Sequence, residues 1–137
     1  MAYDLDHDHV AKYDSVIKAV DEFTKSGCPA SKMVLGIPAY GRHFQHPGLV
    51  KTFAELMDES SDAAVSRHVW NGYQYDTPTS IHQKVEYAVF KRMAGVFFWE
   101  LGQDKQHPKL GPGGILLEAA ASSAERVYGG KQQREEL

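Results

Sequence analysis

Apolar residues follow two patterns that alternate along the chain. At 13–26 they recur at helical spacing, which predicts a helix that stops at Gly27. The next apolar residues form one continuous run, at 33–37, which is closed by Pro38. Short uninterrupted runs of this kind are typical of strands buried on both faces, as in a parallel sheet. A second such run, at 95–99, predicts another strand of the same type.

The segments around these strands predict further helices and a long excursion. Residues 44–77 are mixed, and we expect one short helix and one short extended piece inside a long loop. A helix is predicted to begin at Thr77-Pro78, because proline favours the first helical turn. An Ala-rich helix is predicted from 115 to about 128, followed by a disordered polar tail at 129–137.

The predicted elements define a fold class. With a first short strand at 1–4, their order is strand, helix, strand, long loop, helix, strand, helix. Strands that alternate with helices predict right-handed parallel βα units, and therefore an α/β protein. The length of 137 residues is enough for one compact domain.

Composition and charge then narrow the possible partners. The net charge of -3 argues against nucleic acid, because phosphate binding favours a basic face. No apolar run is long enough to span a bilayer, so no membrane partner is expected. Cys28 is the only cysteine and cannot form an internal disulfide, so cysteine usage does not fix the compartment.

Aromatic and charged residues coincide at the predicted carboxyl ends of all three strands. In parallel βα architectures these ends converge on one edge and carry the working residues. Aromatic rings stack on sugar rings, while carboxylates and guanidinium groups hydrogen-bond sugar hydroxyls. One such residue is explained as a packed strand end, but the same pattern at three successive ends predicts a sugar site. The candidates are Tyr3, Asp4, Tyr40, Arg42, Trp99 and Glu100.

Three sequence blocks carry a resemblance to a known family. Residues 1–4, Met-Ala-Tyr-Asp, look like the Met-x-Tyr-Asp motif on the sixth strand of glycoside hydrolase family 18. Residues 35–42, Leu-Gly-Ile-Pro-Ala-Tyr-Gly-Arg, resemble that family's seventh strand, and residues 95–104 resemble its eighth. The resemblance implies a partial (β/α)8 TIM barrel at 1–128, roughly the last three βα units, with a short insertion at about 44–77.

The resemblance also implies an activity and roles for the candidates. The family hydrolyses chitin or related β-1,4-linked N-acetylglucosamine chains by a retaining mechanism in which the substrate's acetamido group acts as nucleophile. A chitin or N-acetylglucosamine oligosaccharide is then the expected partner, with no cofactor. By resemblance, the catalytic residues are Tyr3, which hydrogen-bonds the acetamido oxygen, and Asp4, which positions that group. Trp99 forms the hydrophobic floor under the distorted sugar. The other substrate-binding candidates are Tyr40, Arg42 and Glu100.

One family motif is absent from the sequence. The family's acid ends an Asp-x-x-Asp-x-Asp-x-Glu motif on the fourth strand, and the 137 residues contain no such motif. Glu86 is no substitute because it falls in mid-helix, and Glu100 belongs to the eighth-strand block. We therefore expect this chain alone to be inactive.

Barrel closure leads to a second expectation. Three βα units cannot close a barrel that needs eight strands, and they leave open edges and uncovered apolar faces. The expected partner for those edges is the missing N-terminal part of the barrel or a dimer partner. A truncated gene model or an excerpt that starts at Met1 is the favoured explanation.

Two other functions stay open from the sequence. One is a non-catalytic, lectin-like family member that binds chitin or another carbohydrate. The other is a small α/β interaction module that oligomerises to cover its open edges, and it predicts a stable oligomer.

The remaining charged residues have simple interpretations. The Asp-His-Asp-His stretch at 6–9 suggests metal ligands, but consecutive loop residues point in different directions, so we expect a solvated loop and no metal. Lys84, Lys91 and Arg92 are interpreted as solvated charges on a helix face, and the scattered histidines as surface or loop residues.

The chain termini bear on localisation. Residues 134–137, Arg-Glu-Glu-Leu, resemble a retention signal of the ER, and the alternative is an ordinary charged helical tail. No signal peptide is present at the start of this chain. The expected location is the secretory pathway, either the ER lumen or the extracellular space.

Overall fold

The computed structural model describes residues 15–60, 67–107, 109 and 113–135. Its helices are α1 (Val16–Lys25), α2 (Phe53–Glu59), α3 (Pro78–Phe90) and α4 (Ile115–Glu135). Its strands are β1 (Val34–Pro38), β2 (Tyr40–His43), β3 (Val50–Thr52), β4 (Val69–Trp70), β5 (Tyr73–Gln74) and β6 (Gly95–Trp99). These elements confirm the α/β class, while the strand predicted at 1–4 lies outside the described residues.

The two strands with continuous apolar runs form a parallel pair. β1 lies beside β6, with Ile37 opposite Phe98 and Pro38 opposite Trp99. Because side chains alternate along a strand, the pair has two distinct faces. One face carries Leu35, Ile37, Val96 and Phe98, and the other carries Val34, Gly36, Phe97 and Trp99.

The hydrophobic core lies on the face that carries Ile37. α3 packs on α4 and also contacts β6, so the two helices form a layer over this side of the strands. Leu35, Val96 and Phe98 pack against the core from the same face. The apolar side chains with no exposed surface are Ile37, Ala39, Phe53, Leu56, Ile81 and Leu116.

A second, antiparallel sheet extends from the end of β1. Its strand order is β3-β2-β5-β4, and β2 begins two residues after β1 ends. Asn71 and Gly72 join β4 to β5 with φ values of 46° and 80°, a left-handed pair that suits a two-residue hairpin turn. The sequence predicted only one extended piece in this region. β3 and β4 have three and two residues, too few for a periodic pattern.

Helix α2 begins with a reciprocal capping box. The Thr52 hydroxyl accepts the N–H of Glu55 at 3.1 Å, and the Glu55 carboxylate accepts the N–H of Thr52 at 2.7 Å. This arrangement satisfies two of the helix donors that would otherwise lack partners. It fixes the short helix that the sequence predicted inside the excursion.

Helices α1 and α3 each begin after a residue whose hydroxyl caps the first turn, and α1 starts at Val16 within the predicted range of 13–26. The Ser15 hydroxyl accepts the N–H of Lys18 at 3.2 Å, and Gly27 follows α1 with a φ of 91°. The Thr77 hydroxyl accepts the N–H of Ser80 at 3.3 Å at the start of α3. Both predicted helices are confirmed.

The last helix is longer than the sequence predicts. α4 continues to Glu135, whereas the predicted helix stops near Tyr128 and gives way to a disordered polar tail. Residues 131–135 are good helix formers, and the glycines at 129–130 disfavour a helix by only about 1 kcal/mol each relative to alanine. None of the helices in the described ranges is long and apolar enough to cross a membrane.

An apolar groove of about 480 Å³ lies between α1 and the parallel strands. Val34 at its margin is 49% exposed and Phe97 is 45% exposed. The groove and the exposed strand face leave apolar surface open to solvent on the side away from the core. Its lining includes Val16, Val20, Phe23, Cys28, Met33 and Phe97.

Candidate functional site

Trp99 stands at the carboxyl end of β6. Its side chain is 61% exposed, and it shares the uncovered strand face with Phe97. A large aromatic side chain is usually well buried, so this exposure at a strand end is informative. The indole ring is accessible to a ligand at the edge where the sequence predicted a site.

Tyr40 follows the end of the neighbouring strand. Pro38 is the register partner of Trp99, and the N–H of Ala39 donates to the carbonyl oxygen of Trp99 at 3.0 Å. Tyr40 is the next residue after this contact. The backbone therefore brings the predicted residues Tyr40 and Trp99 to the same edge of the parallel pair.

Arg42 lies on the same side of β2 as Tyr40, because the two are separated by one residue in a strand. Its guanidinium carbon is 5.9 Å from the centre of the Tyr40 ring, which is within range of a cation–π interaction. Its Nη1 donates to the carbonyl oxygen of Pro47. These contacts hold the guanidinium group over the ring and against the loop that follows β2.

Two acidic residues follow Trp99, and they have different environments. Glu100 is joined to Trp99 by a cis peptide bond, and its side chain is exposed. Asp104 is buried, and its carboxylate accepts the N–H groups of Leu116 at 3.0 Å and Leu117 at 3.0 Å. Asp104 therefore caps α4, while the Glu100 side chain is open to solvent beside Trp99.

Tyr3 and Asp4 lie outside the described residues, as does the stretch at 6–9. Their roles stay predictions. Within the part of the chain that the structure describes, no group of three or more His, Cys, Asp or Glu residues is arranged to hold a metal ion.

A buried ion pair lies at the junction of β5 and α3, and the sequence interpretation missed it. The Nζ atom of Lys84 is 2.7 Å from each carboxylate oxygen of Asp76, and both side chains are fully buried. The Ser80 hydroxyl donates to the same carboxylate at 2.7 Å. Burial raises the pKa of Asp76, and the Lys84 ammonium opposes that shift.

The interpretation of Lys84 as a solvated charge was wrong. Lys84 lies three residues after Ile81 and four before Ala88, so it shares their buried helix face. The sequence spacing alone could therefore have predicted that Lys84 is buried. A cation on an apolar face requires a buried partner, and Asp76 just before the helix was the nearest acid on its N-terminal side.

His43 is also more structured than a surface histidine. It is the last residue of β2, it is half-buried, and its ring meets the Tyr73 ring edge-on with centroids 5.2 Å apart. Its Nδ1 atom accepts the N–H groups of Gln45 and His46, each at 3.2 Å. His43 thus supports the turn that follows β2, and it is the last residue of a strand and not a loop residue.

Gly41, between Tyr40 and Arg42, is in close contact with the segment that follows β5. A Cβ atom at this position would lie 2.7 Å from Cδ1 of Leu56 and 3.2 Å from Cβ of Tyr75. Any larger residue would push β2 away from these neighbours. The glycine therefore seats the backbone of the two candidate residues against the core.

The family model for glycosyl hydrolases family 18 matches residues 1–104, which is more than half of the chain. The chain belongs to glycosyl hydrolase family 18. This confirms the resemblance carried by the three sequence blocks, and the family 18 match includes Tyr40, Arg42, Trp99 and Glu100.

Curated relatives of this family 18 chain are chitinases. Endochitinase 1 of Metarhizium robertsii is 34% identical over 116 residues, which cover 66% of this chain and 27% of the relative. A class V chitinase of Lotus japonicus is 29% identical over 110 residues, covering 58% of this chain and 28% of the relative. The matched segment thus spans little more than a quarter of these relatives.

Solved structures show the same fold. A family 18 chitinase of Flavobacterium johnsoniae has a TM-score of 0.70 at 26% identity and covers 93% of this chain and 41% of its own. A family 18 chitinase of Cycas revoluta, solved with (GlcNAc)3, has a TM-score of 0.60 at 25% identity and covers 80% and 38%. These neighbours are TIM-barrel chitinases, so the family 18 chain has the α/β architecture of that barrel.

The side chains at the carboxyl ends of the parallel strands are of types that bind sugars. At one edge of the parallel pair, the family 18 chain presents the exposed indole of Trp99 beside Glu100, with Tyr40 at the adjoining strand end and Arg42 over its ring. An indole stacks on the apolar face of a sugar ring, and polar groups of these kinds hydrogen-bond its hydroxyls. A sugar-binding role of these four residues stays a prediction.

Proposed function

We propose that this chain contributes the sugar-binding side of a chitinase-type glycoside hydrolase. The observation that carries the proposal is the exposed indole of Trp99 at the carboxyl end of β6, with Tyr40 at the adjoining strand end. Active sites of TIM-barrel enzymes lie at this end of the strands. Family membership supports the same conclusion.

Within the barrel, we propose that β1 and β6 are the seventh and eighth strands, and that residues 1–4 form the sixth. Residues 44–77, which contain β3, α2, β4 and β5, are then the insertion between the last two strands. The uncovered face of the parallel pair supports the presence of further strands in the working protein. Side chains from those strands fill the barrel and cover this face, and the strands belong to the same polypeptide or to a second one.

The proposed reaction is hydrolysis of β-1,4-linked N-acetylglucosamine chains with the acetamido group of the substrate as nucleophile. Tyr3 donates a hydrogen bond to the acetamido oxygen and Asp4 orients the group. Trp99 supports the distorted sugar from below. The acid that protonates the leaving oxygen is a glutamic acid outside the 137 residues, because the motif that holds it is absent from this sequence.

The proposed substrate class has support from a solved neighbour. The Cycas revoluta chitinase was solved in complex with (GlcNAc)3 and with allosamidin. The residues at the strand ends of this chain suit the same chemistry, because the indole offers a stacking surface and the guanidinium group offers hydrogen-bond donors.

Substitution of Trp99 tests the proposal. In the full-length protein, Trp99→Ala should weaken binding of the N-acetylglucosamine tetramer by about 1–3 kcal/mol through lost stacking, as measured by titration calorimetry. Trp70→Phe is the matched control, since it alters the only other tryptophan and should bind normally. Equal binding by Trp99→Ala and the wild type would show that the indole is not in the site.

A second candidate is a carbohydrate-binding relative that does not hydrolyse its ligand. These 137 residues do not separate it from the hydrolase, because the acid motif that would decide between the two is not among them. Turnover by the full-length protein, lowered by Tyr3→Phe, supports the hydrolase. Binding of the tetramer without release of shorter sugars supports the lectin-like alternative. The oligomerising module and the retention signal at 134–137 stay predictions.

A further inference from the structure

The ion pair between Asp76 and Lys84 joins two parts of the molecule that carry different site residues. Asp76 lies two residues after β5, which belongs to the antiparallel sheet with Tyr40 and Arg42. Lys84 lies in α3, which packs on β6, the strand of Trp99. The pair therefore joins the end of the antiparallel sheet to helix α3, which lies against β6.

The sheet side of this bridge is rigid. Arg42 is the register partner of Gln74, and the N–H of Tyr75 donates to the carbonyl oxygen of His68 at 3.0 Å. A Cβ atom at Gly41 would lie 3.1 Å from the carbonyl oxygen of Gln74 and 3.2 Å from Cβ of Tyr75, so β2 is in close contact with this segment. A displacement of the segment 74–76 therefore moves β2.

The helix side of the bridge is also fixed. The Ser80 hydroxyl donates to the Asp76 carboxylate at 2.7 Å, and it also accepts the N–H of Thr77 at 2.9 Å. The first turn of α3 and the carboxylate thus share one hydrogen-bond network. Behind them, Ile81 and Val85 of the same helix belong to the hydrophobic core.

An ion pair constrains distance more sharply than an apolar contact in the same place. Lys84 and Asp76 have no exposed side-chain surface, so water does not replace their interaction when they separate. Apolar side chains of similar shape tolerate small shifts, because dispersion forces act in all directions. A buried pair at this junction therefore favours one spacing of the two parts.

We propose that Asp76 and Lys84 are positioning residues that set the spacing between Tyr40 and Arg42 on one side of the sugar site and Trp99 on the other. The proposal rests on the proposed function of this site. Neither side chain is open to contact with a sugar, since both are fully buried.

The test separates positioning from stability by restoring the packing without the charges. Asp76→Leu keeps the branched shape of the carboxylate, and Lys84→Met keeps an unbranched side chain that is one heavy atom shorter. Apolar replacement of a buried ion pair is often neutral for stability. We expect this double variant of the full-length protein to melt near the wild type by circular dichroism. It should bind the N-acetylglucosamine tetramer about tenfold more weakly, because a shift of about 1 Å is enough to impair a site.

Ligand length supplies a readout that lost stability alone would not produce. A disaccharide that occupies the Trp99 side should bind the double variant and the wild type equally, whereas the tetramer, which reaches Tyr40 and Arg42, should not. Lys91→Met is the control, since it removes the more exposed pair with Asp21, at 3.5 Å, from the end of α3. That control should bind both sugars normally.

Asp76→Glu covers the case in which the double variant does not fold. It keeps both charges and lengthens one side chain by a methylene group, and it should also weaken tetramer binding selectively. Normal tetramer binding by either folded variant overturns the positioning role. If instead Trp99→Ala binds the tetramer like the wild type, the proposed site fails, whatever the ion-pair variants do.

Discussion

The two faces of the parallel strand pair lie in opposite environments. On one face, Ile37 is fully buried beneath α3 and α4, whose Ile81 and Leu116 also have no exposed surface. On the other, Phe97 is 45% exposed and Trp99 is 61% exposed. The same two short strands thus contribute both to the buried core and to exposed apolar surface.

The difference in burial suggests different roles for the two faces: the covered face stabilises the fold, and the uncovered face carries the candidate site. Strands of parallel sheets are normally covered on both faces, and the interior of a TIM barrel is filled by side chains from all its strands. In the proposed barrel, the uncovered face would line that interior, with Trp99 at its carboxyl end. The covered face would hold the strands in place for the proposed binding at the other face.

The largest expected difference in stability is between alanine substitutions of two phenylalanines, one in the core and one on the open strand face. Phe53 has no exposed surface and meets the Tyr75 ring edge-on at 6.1 Å, so Phe53→Ala should lower the free energy of unfolding by about 3–5 kcal/mol. Phe97→Ala, on the open face, should lower it by about 0.5 kcal/mol or less in this 137-residue chain. Urea unfolding followed by circular dichroism measures both values. Equal losses would mean that the open face is packed in solution.

The cap of α4 sharpens the comparison on the packed side. The Asp104 carboxylate accepts the N–H of Lys105 at 2.7 Å as well as those of Leu116 and Leu117. Asp104→Ala leaves these donors without their carboxylate and should cost about 2–3 kcal/mol in the same unfolding experiment. Asp104→Asn keeps one acceptor oxygen and should lose less. A similar loss in both variants would argue against hydrogen bonding as the cause.

The smallest effect is expected at the exposed start of α2. Thr52→Ala removes half of the capping box with Glu55 and should destabilise by about 1 kcal/mol. Thr52→Ser retains the hydroxyl and is the control. Because α2 carries the buried side chains of Phe53 and Leu56, the loss should appear in global unfolding and not as local fraying alone. If Thr52→Ala were as stable as Thr52→Ser, the capping box would not contribute to the stability of the protein.

The main elements of the fold could be predicted because their signals are local and repeated. The apolar runs at 33–37 and 95–99 mark buried strands, and Thr77 marks the start of a helix. The antiparallel sheet was harder to predict. β4 and β5 have two residues each, and their pairing depends on partners distant in sequence, such as Arg42 with Gln74.

The residues in and around the candidate site also fall into those that the sequence could predict and those that it could not. Parallel strands bring their carboxyl ends together, so Trp99 and Tyr40 could be predicted as neighbours, and the structure has them at adjoining strand ends. The role of these residues and of Arg42 in sugar binding stays a prediction. The pair of Asp76 and Lys84 escaped prediction because charged helix residues are usually solvated. Only the position of Lys84 on the apolar face of α3 distinguished it from Lys91, which is part of an exposed pair.

The groove beside α1 contains the only thiol of the chain. Cys28 lines it, is partly exposed, and has no disulfide partner. A maleimide dye would therefore attach at a single position, and its rate of attachment would depend on whether another polypeptide occupies the groove. The one cysteine that carries no information about compartment thus serves as a built-in attachment point for following how the open side of these strands becomes covered.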